Sequence, residues 1–202
     1  TTVSITYTWI QDQENPSASN PPDFVLTDCT STFPAPDIEL ITDENDNCGI
    51  PSVEWVGDEV LTQNACGETI IRTYNLTDAC GNSNPITQNL IRELDNGTWV
   101  GSSDDWNTAD NWCGGIPDET IDVTIGPCSP INPVVYQGNG GICKSLTIKN
   151  ERSVTINGTF DAHDLINDGS IIINSSSNRF GSMRIADLPG TGTGIVTYNL
   201  FM

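Results

Sequence analysis

The sequence predicts an all-β protein made of two parts, a β-sandwich followed by a ladder of shorter strands. Three observations carry this prediction. Short runs of alternating apolar residues recur throughout, separated by clusters of turn-forming residues. No window of the first half shows a helical apolar stripe of ten or more residues. The charge is also uneven, with 16 acidic and 2 basic residues in residues 1–95, against 11 and 5 in residues 96–202.

The first part, residues 1–95, is predicted to hold some seven short strands. Breaker clusters such as Pro34–Pro36 and Asp43–Asn47 separate them. Short strands with turns every 8–12 residues are typical of an immunoglobulin-like sandwich, and the turn at Asp95–Gly97 is the predicted boundary. The predicted strands are residues 2–10, Phe24–Leu26, Ile38–Ile41, Val53–Val56, Val60–Thr62, Thr69–Leu76 and Ile86–Arg92.

The second part, residues 96–202, opens with a Trp-rich segment and continues with more regular strands. The triplets LTI, VTI, III and MRI recur at intervals of 8 to 17 residues, with turn dipeptides at Asn157-Gly158 and Asp168-Gly169. This pattern favours a β-solenoid, although a sandwich or jelly roll would give a similar one. The predicted strands are Ile121–Ile125, Val134–Tyr136, Ser145–Ile148, Val154–Ile156, Leu165–Ile166, Ile171–Ile173, Met183–Ile185 and Ile195–Tyr198.

Composition excludes several classes of partner and activity. The formal net charge is -20, which repels nucleic acid, and no apolar run approaches the ~20 residues that a membrane helix needs. The chain has no G-x-S-x-G or H-E-x-x-H motif. Neighbouring carboxylates such as Asp104 and Asp105 have no fixed geometry that a glycosidase could use. We therefore expect no catalysis, no nucleic-acid partner and no membrane insertion.

The seven cysteines indicate an oxidising compartment. They contain no C-x-x-C pair and are spread along the chain, which suits disulfides better than a zinc site. The abundance of Thr, Asn and Ser with only two Lys also favours an extracellular protein. Because seven is odd, one thiol is expected to be free or to pair outside this sequence.

Sandwich topology suggests specific disulfides. If Cys48 and Cys80 end two strands that run in the same direction, they meet at one end of the sandwich, and Cys29 and Cys66 then lie at the other end. We therefore predict Cys29–Cys66 and Cys48–Cys80. In the second part we predict Cys113–Cys143, with Cys128 free or paired elsewhere. Cys128–Cys143 is a close alternative.

Acidic loops give a candidate metal site. The same topology brings the loop that holds Asp43 and Asp46 towards the loop that holds Asp78. Calcium takes six to eight oxygen ligands from carboxylates, amides and carbonyls, so these three aspartates are candidate calcium ligands. The alternative is a solvated acidic surface with Asx-turns.

Three tryptophans, Trp99, Trp106 and Trp112, open the second part beside several aspartates. Exposed rings flanked by carboxylates could stack on sugars and contact a glycan. The alternative, which we favour, is that the rings cover the open end of the solenoid, where burial of large side chains stabilises most.

Particular motifs resemble known modules. The run Cys66–Asn82, with D-N-C at Asp46–Cys48 and D-x-C-G-N at Asp78–Asn82, resembles the hyalin-type, immunoglobulin-like repeats of large secreted Bacteroidota proteins over residues 22–95. The W-x-G…W-N-x-x-x-N-W run at Trp99–Trp112 and the C-K-S-L-T-I run at Cys143–Ile148 resemble another module of such proteins.

The resemblance implies cell-surface adhesins, including gliding-motility adhesins, exported through the type IX secretion machinery. The chain would be an internal fragment, with its second module truncated at the C-terminus. We expect a non-catalytic structural and adhesive module, with calcium as its cofactor and a surface polysaccharide or a host or substratum glycan as its partner. The alternative is a carbohydrate-binding accessory module of a secreted polysaccharide-degrading enzyme.

Overall fold

The computed structural model describes residues 3–6, 11–177, 179–186 and 190–200, and it is all-β. The fold class is confirmed. Of the predicted strand at residues 2–10, residues 2 and 7–10 lie outside the described residues, and residues 3–6 form no strand. The chain divides into two compact units. The first unit contains Thr1–Val25, Phe33–Gln63 and Glu68–Ile91, and the second contains Leu26–Thr32, Asn64–Gly67 and Arg92–Met202.

The first half of the chain forms one four-stranded sheet in the order β1-β4-β3-β2. Alternate residues of β3 and β4 are buried, as a strand with one covered face requires. Tyr74, Leu76 and Ile86 from this face pack with Ile41 in a small core. The four strands are β1 (Phe24–Leu26), β2 (Ser52–Asn64), β3 (Gly67–Thr77) and β4 (Ser83–Glu93).

Segments without regular secondary structure cover the buried face of the sheet. The proline-rich residues 11–23 run beside β4, where Asn84 donates to the carbonyl of Pro16 and Gln88 donates to the carbonyl of Pro22. Side-chain amides replace a strand ladder here because proline cannot donate to one. Among the described residues, the first unit shows this one sheet of the predicted sandwich.

Two strand predictions in the first part need correction. Ile38–Ile41 is not a strand, because Ile38–Leu40 is a short 3-10 helix in which the Asp37 side chain accepts the Glu39 N–H. The two strands predicted at Val53–Val56 and Val60–Thr62 are one strand, β2, since Gly57-Asp58 continues the sheet instead of turning.

The second unit is a β-solenoid, which confirms that part of the prediction. Its main strands alternate between two parallel sheets, with orders β12-β9-β7-β5 and β13-β10-β8-β6. A short strand, β11, pairs antiparallel with β10. The strands are β5 (Asp122–Ile125), β6 (Val134–Val135), β7 (Gly140–Ile148), β8 (Ser153–Ile156), β9 (Thr159–Asn167), β10 (Ser170–Ser176), β11 (Arg179–Phe180), β12 (Ser182–Ile185) and β13 (Ile195–Asn199).

Aliphatic side chains stack in register inside the solenoid. Leu146 lies between Val123 and Leu165 in one sheet, and Ile156 lies between Val135 and Ile173 in the other. All of these except the half-buried Leu165 are almost completely buried. The recurring triplets therefore correspond to stacked turns of the solenoid, and each turn buries the apolar side chains of the next.

Three disulfides join six of the seven cysteines, and they indicate an extracellular or otherwise oxidising environment. Cys48–Cys80 is confirmed. Cys29–Cys66 is wrong, because Cys29 pairs with Cys128 and Cys66 pairs with Cys113. The segments that carry Cys29 and Cys66 belong to the second unit, so their partners are there.

Cys113–Cys143 is therefore wrong, and so is the alternative Cys128–Cys143, whereas Cys128 is paired elsewhere, with Cys29, which is one of the two outcomes predicted for it. Cys143 is the free thiol among the described residues. It lies within β7, where its side chain points into the solenoid core and is buried. Burial raises the pKa of this thiol to about 12, which keeps it protonated and unreactive. Among the residues that the structure describes, no helix has the length and apolar character that a bilayer crossing requires.

Candidate functional site

A cluster of three carboxylates, which we call the acidic site, lies in the first unit. Asp12, Asp46 and Asp78 each offer one oxygen, and these oxygens lie within 4.8 Å of one another. They come from three separate stretches: the proline-rich segment, the loop before β2 and the loop between β3 and β4. The fold thus gathers three formal negative charges that are far apart in the sequence.

Two similar turns position Asp46 and Asp78. Asp46 Oδ2 accepts the N–H of Cys48 at 2.6 Å, and Asp78 Oδ1 accepts the N–H of Cys80 at 2.8 Å. Such local bonds are the usual way an aspartate closes a turn two residues on. The Cys48–Cys80 disulfide links the two turns. It therefore holds the two D-x-C loops, and with them the two carboxylates, together.

Asp78 is the most constrained of the three. It is 6% exposed. Its Oδ1 also accepts the N–H groups of Gly81 and Asn82, and its Oδ2 accepts the Asn82 side-chain amide at 2.8 Å. Burial alone would raise the pKa of Asp78, but hydrogen bonds from Asn82, Gly81 and Cys80 outweigh it and lower the pKa. Asp78 is therefore ionised at neutral pH.

One buried carboxylate oxygen of Asp12 has no hydrogen-bond partner within the part of the chain that the structure describes. Asp12 Oδ1 accepts the N–H of Glu14 at 3.1 Å, but among the described residues nothing donates to its buried Oδ2. Asn82 fixes this segment by donating to the carbonyl of Asp12 at 3.4 Å. A buried carboxylate oxygen without a donor costs free energy. A cation shared with Asp46 and Asp78 would remove that cost.

Asp43 is not part of the cluster, although the sequence predicted it as a ligand. Both of its carboxylate oxygens accept the N–H of Ser19, at 3.0 and 3.1 Å. Hydrogen bonds from Ser19 lower the pKa of Asp43. Its function is to fasten the proline-rich segment to the loop before β2. Sequence reasoning missed Asp12 because it occurs in a segment that showed only turn-forming residues.

The donor set suits a hard cation. Three carboxylates are typical calcium or magnesium ligands, and calcium tolerates the irregular geometry that loops provide. Cys48 and Cys80 also lie close to Asp12, but both sulfurs are in a disulfide. Thiolates, which zinc prefers, are therefore unavailable. Asp12, Asp46 and Asp78 are the residues that could hold such a cation.

The three tryptophans are buried, and the prediction of a glycan contact at Trp99, Trp106 and Trp112 is wrong. Their exposed fractions are 0%, 0% and 3%. The Trp106 ring packs edge-on against Trp112 and Phe160, with centroids 4.6 and 4.8 Å apart. A sugar cannot stack on a ring that has no open face.

The rings instead cap the first rung of the solenoid. Thr98 pairs in parallel with Thr124 of β5, and Asp105 pairs in parallel with Val134 of β6. Residues 97–106 therefore add backbone beside both sheets, and the rings between them fill the interior. This arrangement is the capping that we favoured from the sequence.

Comparisons with protein-family models, curated proteins and solved structures find no match to this chain.

Proposed function

We propose that this chain is a non-catalytic structural and adhesive module of a secreted cell-surface protein, and that calcium stabilises its first unit. The observation that carries the proposal is the acidic site, where three carboxylates converge and a buried Asp12 oxygen has no donor among the described residues. Three like charges this close repel one another unless a cation lies between them. A bound calcium would convert this repulsion into a link between three segments.

An extracellular setting supports the same proposal. Disulfides persist outside the cell, and extracellular calcium modules typically bind at 10⁻⁴–10⁻³ M. A site with only three carboxylates, drawn from three separate segments, fits that weak range. The export route through the type IX machinery and the adhesin identity depend on the motif resemblance at Asp46–Cys48 and Asp78–Asn82.

The first test is thermal unfolding of the whole chain with calcium or with EDTA, in roughly 0.15 M salt to screen general repulsion. Binding to the folded state stabilises by RT ln(1 + [L]/Kd), about 2.7 kcal/mol at a hundredfold excess over Kd. We expect calcium to raise the midpoint of the first unit. Magnesium at the same concentration should do so less, because it demands a stricter octahedral geometry.

Matched variants separate a site from general charge relief. Asp12→Asn and Asp46→Asn each remove one ligand charge and should abolish most of the calcium effect. Glu54→Gln removes one negative charge from an exposed position on β2, outside the cluster, so it should keep the calcium effect. Equal calcium responses in all three variants, or none in the wild type, would show that the acidic site is only a solvated surface.

A further inference from the structure

A groove crosses the stacked turns at one edge of the solenoid. It has a volume of about 410 Å³ and lies entirely in the second unit. Its walls come from the turn before β7, the turn before β9 and strand β11. We name it the turn groove. Its lining is Gln137, Asn139, Asn157, Thr159, Phe180 and three glycines.

The floor of the turn groove is backbone. Gly158 is buried, and a Cβ atom there would lie 2.5 Å from the carbonyl oxygen of Tyr136 and 2.6 Å from that of Asn139. The turns are thus stacked too closely for a side chain at this point. Neighbouring strands are about 4.8 Å apart, so three successive turns give a shallow groove roughly 10 Å long.

Phe180 provides an aromatic face beside this floor. Its side chain is 74% exposed. Its backbone is nevertheless fixed, because β11 pairs with β10 in the register Ser175 to Phe180, and Gly181 donates to the carbonyl of Asn174 at 2.9 Å. The backbone that carries the ring is therefore fixed beside the groove.

The amides of the groove are oriented by their neighbours. Gln137 Nε2 donates to Ser176 Oγ at 3.2 Å, which leaves its carbonyl oxygen as an acceptor. Asn157 Oδ1 accepts from Asn174 Nδ2 at 2.9 Å, which leaves the Nδ2 of Asn157 as a donor. Asn174 in turn accepts from Asn199 at 2.7 Å, so an asparagine ladder along the solenoid fixes this side chain. The groove presents donors and acceptors in fixed places.

We propose that the turn groove binds a short stretch of a neutral polysaccharide, with a sugar ring stacked on Phe180 and its hydroxyls bonded to Gln137, Asn139 and Asn157. A pyranose has an apolar C–H face and equatorial hydroxyls, and this lining matches both. The described lining residues carry no ionisable side chain. The net charge of -20 disfavours acidic polysaccharides. The groove gives the proposed adhesive role a partner, and it does not depend on the acidic site.

The test is calorimetric titration of the full chain in EDTA, so that loss of calcium binding cannot mimic loss of glycan binding. The probes are hexamers of β-linked glucose, xylose, mannose and N-acetylglucosamine, with oligogalacturonate as the acidic comparison. We expect millimolar or tighter binding of at least one neutral hexamer and none of oligogalacturonate. No neutral binding, or binding of the acidic probe alone, would overturn the proposal.

Variants then place the binding in the groove. Phe180→Ala should weaken the neutral hexamer about tenfold, because stacking on one ring contributes on that scale, and Gln137→Ala should weaken it less. Tyr198→Ala is the control, since it removes another exposed ring, 60% exposed on β13 and outside the groove. Because Phe180 is mostly exposed, its variant should keep the wild-type melting temperature. Unchanged affinity in Phe180→Ala would place any binding elsewhere and refute the proposal.

Discussion

Replacing Cys29 and Cys128 together by serine should destabilise the second unit by about 4 kcal/mol. The bridge closes a loop of 99 residues, which alone would stabilise by about 4.7 kcal/mol in the chain-entropy model. The Cys66–Cys113 bridge, with a separation of 47, lies inside that loop. It shortens the path between Cys29 and Cys128 to roughly 50 residues, for which the same model gives about 4 kcal/mol.

Chemical and thermal unfolding measure this loss. For a unit of about 120 residues, 4 kcal/mol lowers the melting temperature by roughly 15 °C. The single variant Cys29→Ser tests the pairing itself, because alkylation followed by peptide mapping should find the new free thiol at Cys128. Cys48→Ser with Cys80→Ser removes one bridge from the first unit and should leave Cys128 protected. A new thiol at Cys66 in the Cys29→Ser protein would refute the observed pairing.

Two further substitutions test the cores of the two units. Trp106→Ala should lower the free energy of unfolding in urea by about 3–5 kcal/mol, because it removes a large buried side chain from the cap. Tyr198→Ala, which removes an exposed ring, should lower it little. Equal losses in the two variants would contradict the capping role. Asp58→Asn removes the charge partner of Arg72, which is 3% exposed, and should lower the free energy of unfolding by about 3 kcal/mol at pH 7. Asp161→Asn, which breaks an exposed ion pair, should lower it by under about 1 kcal/mol. Hydrogen bonding to Arg72 lowers the pKa of Asp58. The extra stability of the wild type over Asp58→Asn is therefore fully present above the unfolded pKa, near 3.9, and is lost as the pH falls through the lower folded pKa. A difference in stability between wild type and Asp58→Asn that did not narrow as the pH fell below about 3.9 would contradict this.

Strand positions could be predicted wherever one face of a strand is buried. The alternation of buried and half-buried residues in β3, and the in-register triplets of the solenoid, are direct consequences of side chains pointing alternately inward and outward. The prediction failed where local bonds decided the structure. Asp37 turns Ile38–Leu40 into a 3-10 helix by accepting one N–H, and β2 continues through Gly57-Asp58, a dipeptide that usually turns.

The three aspartates of the acidic site also differ in whether local sequence or distant contacts determine their positions. Asp46 and Asp78 could be predicted because each precedes a cysteine by two residues and closes its own turn. Asp12 could not, because only the folding of the proline-rich segment beside β4 brings it to them.

The disulfides show the same limit of local sequence information at the predicted boundary between the two parts. Pairing each half's cysteines among themselves finds Cys48–Cys80 but cannot find Cys29–Cys128 or Cys66–Cys113, since both bridges cross residue 95. The predicted division at 95 therefore determined the disulfide prediction before any geometry was considered. The structure groups Leu26–Thr32 and Asn64–Gly67 with the solenoid, and each of these short segments holds one of the crossing cysteines. Crosslinks that enclose long loops restrict the unfolded chain most, so the two bridges that sequence reasoning missed are those for which the chain-entropy model gives the larger stabilisation.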